Sequence, residues 1–350
     1  MRGSDNIDVA GTEVVKQTRW QVCCAGVRCG WAGVALCVVL AVVATWLGLW
    51  LPLVGGPVFA ILLGLVLSNV LPLPTLARPG IAFCSKKILQ LAIVLLGGAM
   101  SLLKVYETGA RSLTVMLATL AIALLVAWLL GRILKVDRKL TSLVGVGTGI
   151  CGGSAIAAIA PIIEADDDEI AFSISTVFLF NVIAVVVFPL LGHLMHMTPD
   201  GFGIWAGTAI NDTSSVVAAA FSYSQVSGEV ATITKLARTT MIVPIALAFA
   251  FVAARRSTDT DFHVSRVIPW FVFGFLGMAL LNTFGVLGPT PPLFGTAGKF
   301  AITIALAGVG LGANMRKIIK TGPRPILLGL LVWIAVAVAS LLVQSAINQL

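Results

Sequence analysis

Polar and charged residues interrupt this chain only in short clusters, and the stretches between them are almost wholly apolar. Eleven such runs predict helices at about 31–50, 57–71, 87–103, 112–131, 141–162, 170–195, 202–221, 230–253, 267–286, 298–313 and 325–347. A bilayer core takes about 20 helical residues. Most runs reach that length, and the second and tenth are short. The pattern predicts an all-α polytopic membrane protein with one transmembrane transport domain at 31–350, behind a tail at 1–30.

Composition agrees, because 58% of residues are hydrophobic and 11% charged, against about 25% charged in ordinary globular domains. The net charge of +8 forms no continuous basic stripe, which argues against nucleic acid. With the tail inside, the five inner segments hold eighteen of the 23 basic residues and the outer segments three, Lys104, Arg111 and Lys299. That bias supports eleven spans in a bacterial inner membrane, with the N-terminus cytoplasmic and the C-terminus outside. It also places the acidic run Glu164–Glu169 outside and puts His193 and His196 near the inner end of the sixth helix. The tail has no cleavable signal pattern. Six cysteines without paired CxxC spacing give no zinc set. Cys23, Cys24 and Cys29 sit where acylation could occur.

Five glycines between Gly145 and Gly153 make a regular fifth helix improbable, since each costs about 1 kcal/mol relative to alanine. A broken helix survives in lipid only where protein or a watery cavity satisfies its backbone. Its opened N–H groups, over Gly149–Gly153, would favour an anion; tight small-residue packing is the competing explanation. Gly308-Val-Gly310-Leu-Gly312 in the tenth helix resembles the Gly145 region five spans earlier. That spacing predicts inverted five-helix repeats at 57–195 and 202–347, with crossing broken helices. A second likeness links Gly147-Thr-Gly-Ile-Cys-Gly-Gly-Ser to Gly207-Thr-Ala-Ile-Asn-Asp-Thr-Ser.

Charge inside the bilayer is the other signal. Asp212 falls midway along the seventh helix beside Asn211. Lys235 and Arg238 share a face of the eighth, with Arg238 at the depth of Asp212 and Lys235 shallow enough to snorkel. Intramembrane charge usually faces a pathway. An Asp212–Arg238 pair would leave one cation over, which favours an anionic substrate. Cys151, Ser154 and Asn181 reach the same depth. No serine–histidine, paired-carboxylate, phosphate-loop or cofactor pattern appears, so neither enzyme nor cofactor is expected.

The runs GTGICGGSAIAAIAP (147–161) and GTAINDTSSVVAA (207–219), with Lys235-Leu-Ala-Arg238 before Pro244, resemble the YeiH-type bacterial membrane proteins, also labelled sulfate exporters. The resemblance covers nearly all of the chain from residue 31. It implies a fold like that of the bile-acid symporters and sodium–proton antiporters, and site positions at Gly147, Cys151, Gly152, Ser154, Asp212, Lys235 and Arg238. Position 211 is Asn where some relatives carry His, so a proton role for that His does not transfer. The expectation is a secondary transporter of a small anion, such as sulfate, sulfite or a sulfonate-derived anion. Its site residues are Gly149, Cys151, Gly152, Gly153, Ser154, Asn181, Asn211, Asp212, Lys235, Arg238, Gly308 and Gly310. Asp212 could carry a coupled proton, and Arg238→Gln is expected to remove transport without harming the fold. An anion channel and a non-transporting receptor or scaffold remain as alternatives. The chain's partners are lipid and the anion, with homo-oligomerisation left open.

Overall fold

The computed structural model describes residues 19–51, 55–71, 73–254, 269–313 and 322–349. Every regular element among them is helical: α1 (Arg19–Trp50), α2 (Gly55–Val70), α3 (Arg78–Phe83), α4 (Leu89–Gly97), α5 (Leu102–Ile133), α6 (Arg138–Gly149), α7 (Gly153–Ile159), α8 (Asp167–Leu194), α9 (Pro199–Ala209), α10 (Thr213–Tyr223), α11 (Gln225–Thr240), α12 (Ile242–Ala254), α13 (Trp270–Thr283), α14 (Pro291–Gly312) and α15 (Pro323–Ala346). A π turn at Cys84–Ile88 joins α3 to α4. Backbone is already helical at Arg19, twelve residues before the expected start at 31. Residues 1–18 of the expected tail lie outside the described residues. So do Arg255, Arg256, Arg266, Arg316, Lys317 and Lys320.

Seven helical stretches are long and apolar enough to cross a membrane, and α2 and α13 are shorter apolar helices. The segments expected at 141–162 and 202–221 fall in neither group, because each is a pair of short helices. A straight helix from Lys139 to Glu164 would be about 38 Å long. Instead the Lys139 ammonium donates to the Glu164 carbonyl at 2.6 Å. Beside it, the Lys139 backbone N–H, donated to Asp137, holds that carboxyl below its usual range. Thus α6 and α7 form a hairpin that enters and leaves on one face. Likewise the Tyr223 hydroxyl donates to the Met197 carbonyl at 2.6 Å, where a straight helix from Pro199 would put it about 36 Å away. Its ring stacks on Phe202 and His193 at 4.0 and 4.3 Å. So α9 and α10 form a second hairpin, and α8 carries the chain between the two bases.

Among the described residues the eleven apolar segments are therefore nine crossings and two re-entrant hairpins that approach from opposite faces. This corrects two placements. The run Glu164–Glu169 lies with Arg138 and Lys139 on the basic face, not on the outer one. His193 and His196 lie at the opposite end of α8, beside the base of the second hairpin. Exchanging two crossings for two hairpins leaves every other loop on its original side, so the eighteen-to-three charge bias is the same in both topologies.

Local signals explain the hairpins. Asp137 caps α6 through the Lys139 N–H at 2.8 Å, and Thr198 caps α9 through the Gly201 N–H at 3.1 Å. Asp166 and Glu169 form a reciprocal capping box at the start of α8. Ser224 caps α11 immediately after α10. Of the four hairpin limbs, α6, α9 and α10 start on a side-chain cap and α7 does not.

Two bodies result. One hydrophobic core joins α1–α4, α13 and α14, with Val217 and Leu236 packed onto it. Two others fill the body made by α5–α12 and α15. The bodies meet where α10 packs against α2 and α14 and where α13 packs against the start of α5.

The tenth-helix expectation fails, because α14 runs without interruption through Gly308 and Gly310. A Cβ on Gly310 would lie 2.2 Å from the Ile61 carbonyl oxygen, and one on Gly64 would lie 2.6 Å from that of Ala307. These glycines let α2 and α14 touch backbone to backbone, as small residues do in membranes. They stand apart from any break.

Two outcomes follow. Single cysteines at Lys139 and Asp167 should be labelled from one side of the membrane, and those at Asp200 and Gln225 from the other; eleven crossings would separate 139 from 167. Gly310→Val should lower thermal stability by about 1–3 kcal/mol through overpacking, measured by unfolding in detergent.

Candidate functional site

The hairpin tips, Ile150–Gly152 and Ile210–Asp212, meet inside the second body. A Cβ on Gly152 would sit 3.6 Å from the Asp212 Cβ. Gly152 has φ 69° and ψ −132°, a conformation that glycine adopts without a Cβ penalty. The chain can therefore reverse there and begin α7.

Each tip ends a half-helix whose last carbonyls have no helical partner. In lipid these groups must be satisfied by protein. Arg238 and Lys235 do so. The Arg238 guanidinium donates to the Gly149 carbonyl at 2.7 Å, to Thr148 at 2.9 Å and to Thr208. The Lys235 ammonium donates to Ile150 at 2.8 Å and to Ile210 at 3.0 Å. Each cation therefore spans both hairpins. The repeated Gly-Thr-x-Ile motif explains the symmetry: Arg238 takes the two Thr carbonyls, 148 and 208, and Lys235 takes the two Ile carbonyls, 150 and 210. Both side chains are 0% exposed.

The approach of α11 makes this contact possible. It runs parallel to α9, where Gly203 faces Val230 and Gly207 faces Thr234. Small residues four apart permit that close packing. Because α11 begins at Gln225, Lys235 lies about 15 Å along it, too deep to snorkel to the surface.

Asp212 does not pair with Arg238. Among the described residues the one ion pair is Lys104–Glu229, on the face opposite the basic one. Asp212 caps α10, accepting from the Ser214 N–H at 2.9 Å and from the Ser214 hydroxyl. The Asn181 side-chain oxygen accepts the N–H groups of Asn211 and Asp212 at 3.2 and 3.1 Å. The Asn211 amide is fully buried, and neither its nitrogen nor its oxygen has a partner.

At the other tip Cys151 is buried. α7 has no side-chain cap. A Cβ on Gly153 would meet open space within 4 Å, and Ser154 is exposed. Gly149 is not an N–H ligand as expected: it closes α6 and presents its carbonyl to Arg238. The open N–H end begins at Gly153.

The structure thus gathers Gly149, Cys151, Gly152, Asn181, Asn211, Asp212, Lys235 and Arg238, with Gly153 and Ser154 on the adjoining helix start. Gly308 and Gly310 lie in the other body. Sequence reasoning missed Thr148 and Thr208, whose carbonyls are the shared acceptors; the Gly147/Gly207 likeness was the signal that contained them.

Electrostatics can be summed by sign. Two cations face two half-helix C-termini, each worth roughly −0.5 charge, and Asp212 adds one negative charge. Two half-helix N-termini, of α7 and α10, add roughly +0.5 each. At formal charges the sum is about +1.

Removing Arg238 strands three buried carbonyls. Arg238→Gln should destabilise the protein by about 3 kcal/mol or more, read as a lower unfolding midpoint in detergent. That replaces the expectation that this variant spares the fold. Arg238→Lys should recover part of the loss, since the charge stays but the fork spanning both Thr carbonyls does not.

The chain matches a family model described as "Conserved hypothetical protein 698" over residues 32–329. It is 40% identical over 335 residues to a UPF0324 membrane protein of Clostridium tetani, covering 91% of this chain and 97% of that one. A UPF0324 membrane protein of Streptococcus pyogenes serotype M18 is 43% identical over 328 residues, covering 90% and 97%. One from Fusobacterium nucleatum is 38% identical over 338 residues, covering 90% and 98%. These matches fit the YeiH-type resemblance. The relatives' names say membrane protein and give no substrate.

Proposed function

We propose that this chain, which belongs to the conserved hypothetical protein 698 family of membrane proteins, is a secondary transporter that moves a small anion by alternating access. The observation that carries the reading is the meeting of two opposed hairpins around buried Lys235, Arg238 and an unpartnered Asn211 amide. Irregular backbone is tolerated in the middle of a membrane where it lines a cavity or a binding site. A fully buried amide with both polar atoms unsatisfied costs stability unless a ligand or water serves it.

Roles divide as follows. Lys235 and Arg238 hold the tips together and set the positive bias. The Asn211 amide and the N–H groups of Gly153 and Ser154 ligate the anion, for which an oxyanion of sulfur has suitable acceptors. Asp212, the one acidic side chain at this depth among the described residues, carries a coupled proton. Alternating access then comes from motion of the hairpin-bearing body against the α1–α4, α13 and α14 body. Taking the basic face as cytoplasmic puts the N-terminus inside and the C-terminus outside an inner membrane.

Proteoliposomes should take up labelled sulfate or sulfite, and Asn211→Ala should reduce uptake at least tenfold while the protein stays folded, as judged by its unfolding midpoint. Asp212→Asn should keep the α10 cap, because Asn caps as well as Asp, yet lose stimulation by a pH gradient. No uptake of any anion in a broad panel would overturn the reading. Steady conductance in planar bilayers without coupling would replace the carrier with an anion channel.

A further inference from the structure

Away from the hairpin tips, a cavity of about 770 Å³ opens at the basic face, between the end of α5, the start of α6, the turn after α7 and the end of α12. Its chemistry is graded with depth. The inner part is lined by Leu124, Ala127, Gly145 and Phe249, and the rim by Arg132, Arg138 and Lys139. From Arg132 to Leu124 the wall descends about 12 Å along α5, roughly half of one bilayer leaflet.

Three features point to one occupant. Arg132 lies over the Trp128 ring at 4.2 Å. An aromatic ring under a cation at this level is the arrangement found at membrane–water interfaces. The Thr141 hydroxyl, 8% exposed at the residue level and on the cavity wall, has no hydrogen-bond partner. Leu125, Leu129 and Val252 beside the opening are 62%, 49% and 52% exposed, so the cleft is flanked by apolar surface that only acyl chains would cover.

Charge selects the sign of the headgroup. The rim has three cations, and Glu164 is the one carboxylate that lines it. Lys139 is already held by the Glu164 carbonyl at 2.6 Å. Asp137 and Glu169 lie outside the lining and accept backbone N–H groups, Asp137 from Lys139 and Glu169 from Asp166. Arg132 and Arg138, both exposed, remain to receive a phosphate. A free phosphate or sulfate would leave the apolar depth of the cleft wet. A zwitterionic lipid would bring its own cation to a positive rim.

We infer that this cleft is a binding site for an anionic phospholipid, with the phosphate on Arg132 and Arg138 and an acyl chain along Leu124, Ala127 and Phe249. The site is separate from the proposed anion pathway, and a lipid there would brace the base of the α6–α7 hairpin against α5 and α12.

The test is native mass spectrometry of the full-length protein released from micelles containing phosphatidylglycerol or phosphatidylcholine. One phosphatidylglycerol should be retained with about thirtyfold preference over phosphatidylcholine, as two added cations near a headgroup would give. Arg132→Gln with Arg138→Gln should remove that preference. Lys86→Gln with Lys87→Gln, exposed basic residues at a separate site, should leave it intact. Ser142→Trp, placing a ring in the cleft, should block retention while leaving the unfolding midpoint in lipid-free detergent unchanged. Equal retention of both lipids, or no effect of the Arg132 and Arg138 changes, would overturn the inference. So would displacement of the bound lipid by millimolar inorganic phosphate, which would mark a soluble-anion site.

Discussion

Two buried cations hold the centre of this protein together, and each does so by accepting the same debt from both halves. A half-helix that ends inside a membrane presents carbonyls with neither water nor a following turn to satisfy them. Arg238 and Lys235 satisfy those of α6 and α9 at once. The desolvation cost of each cation is thereby offset by hydrogen bonds and by the negative ends of two helix dipoles. Neither tip could stay buried without them. Neither cation could stay buried without the tips.

The same arrangement frees the other groups for a ligand. With the cations occupied by backbone carbonyls, Asp212 is left to cap α10, and no ion pair neutralises the centre. The Asn211 amide stays unpartnered, and α7 begins on a glycine with no side-chain cap.

The two bodies are held together internally in different ways. Phe188 of α8 stacks on Trp205 of α9 at 4.2 Å and on Trp333 of α15 at 5.8 Å, and the Thr208–Ser340 hydrogen bond at 2.7 Å ties α9 to α15. α2 and α14 are locked backbone to backbone in the other body. Between the bodies, α10 packs on α2 and α14 largely through apolar side chains. At the start of α5 the Leu102 N–H also donates to the Thr283 hydroxyl of α13 at 2.7 Å.

Much of this was legible in the residues themselves. Hydrophobic runs determined the all-helical membrane class, because only bilayer accommodates so little polar surface. Glycine density determined the break at Ile150–Gly152, and burial of Asp212, Lys235 and Arg238 in apolar runs marked the centre. Tertiary structure alone decided whether a broken run crosses or turns back. A crossing and a hairpin bury the same apolar residues, and swapping two of each preserves the positive-inside count, so neither hydropathy nor charge can separate them. It also decided the partners. Glycine reads alike whether it opens a helix, as at Gly152, or admits a neighbouring backbone, as at Gly310. Which carbonyls Arg238 would meet depended on two tips brought together from opposite faces, a contact carried by no local pattern.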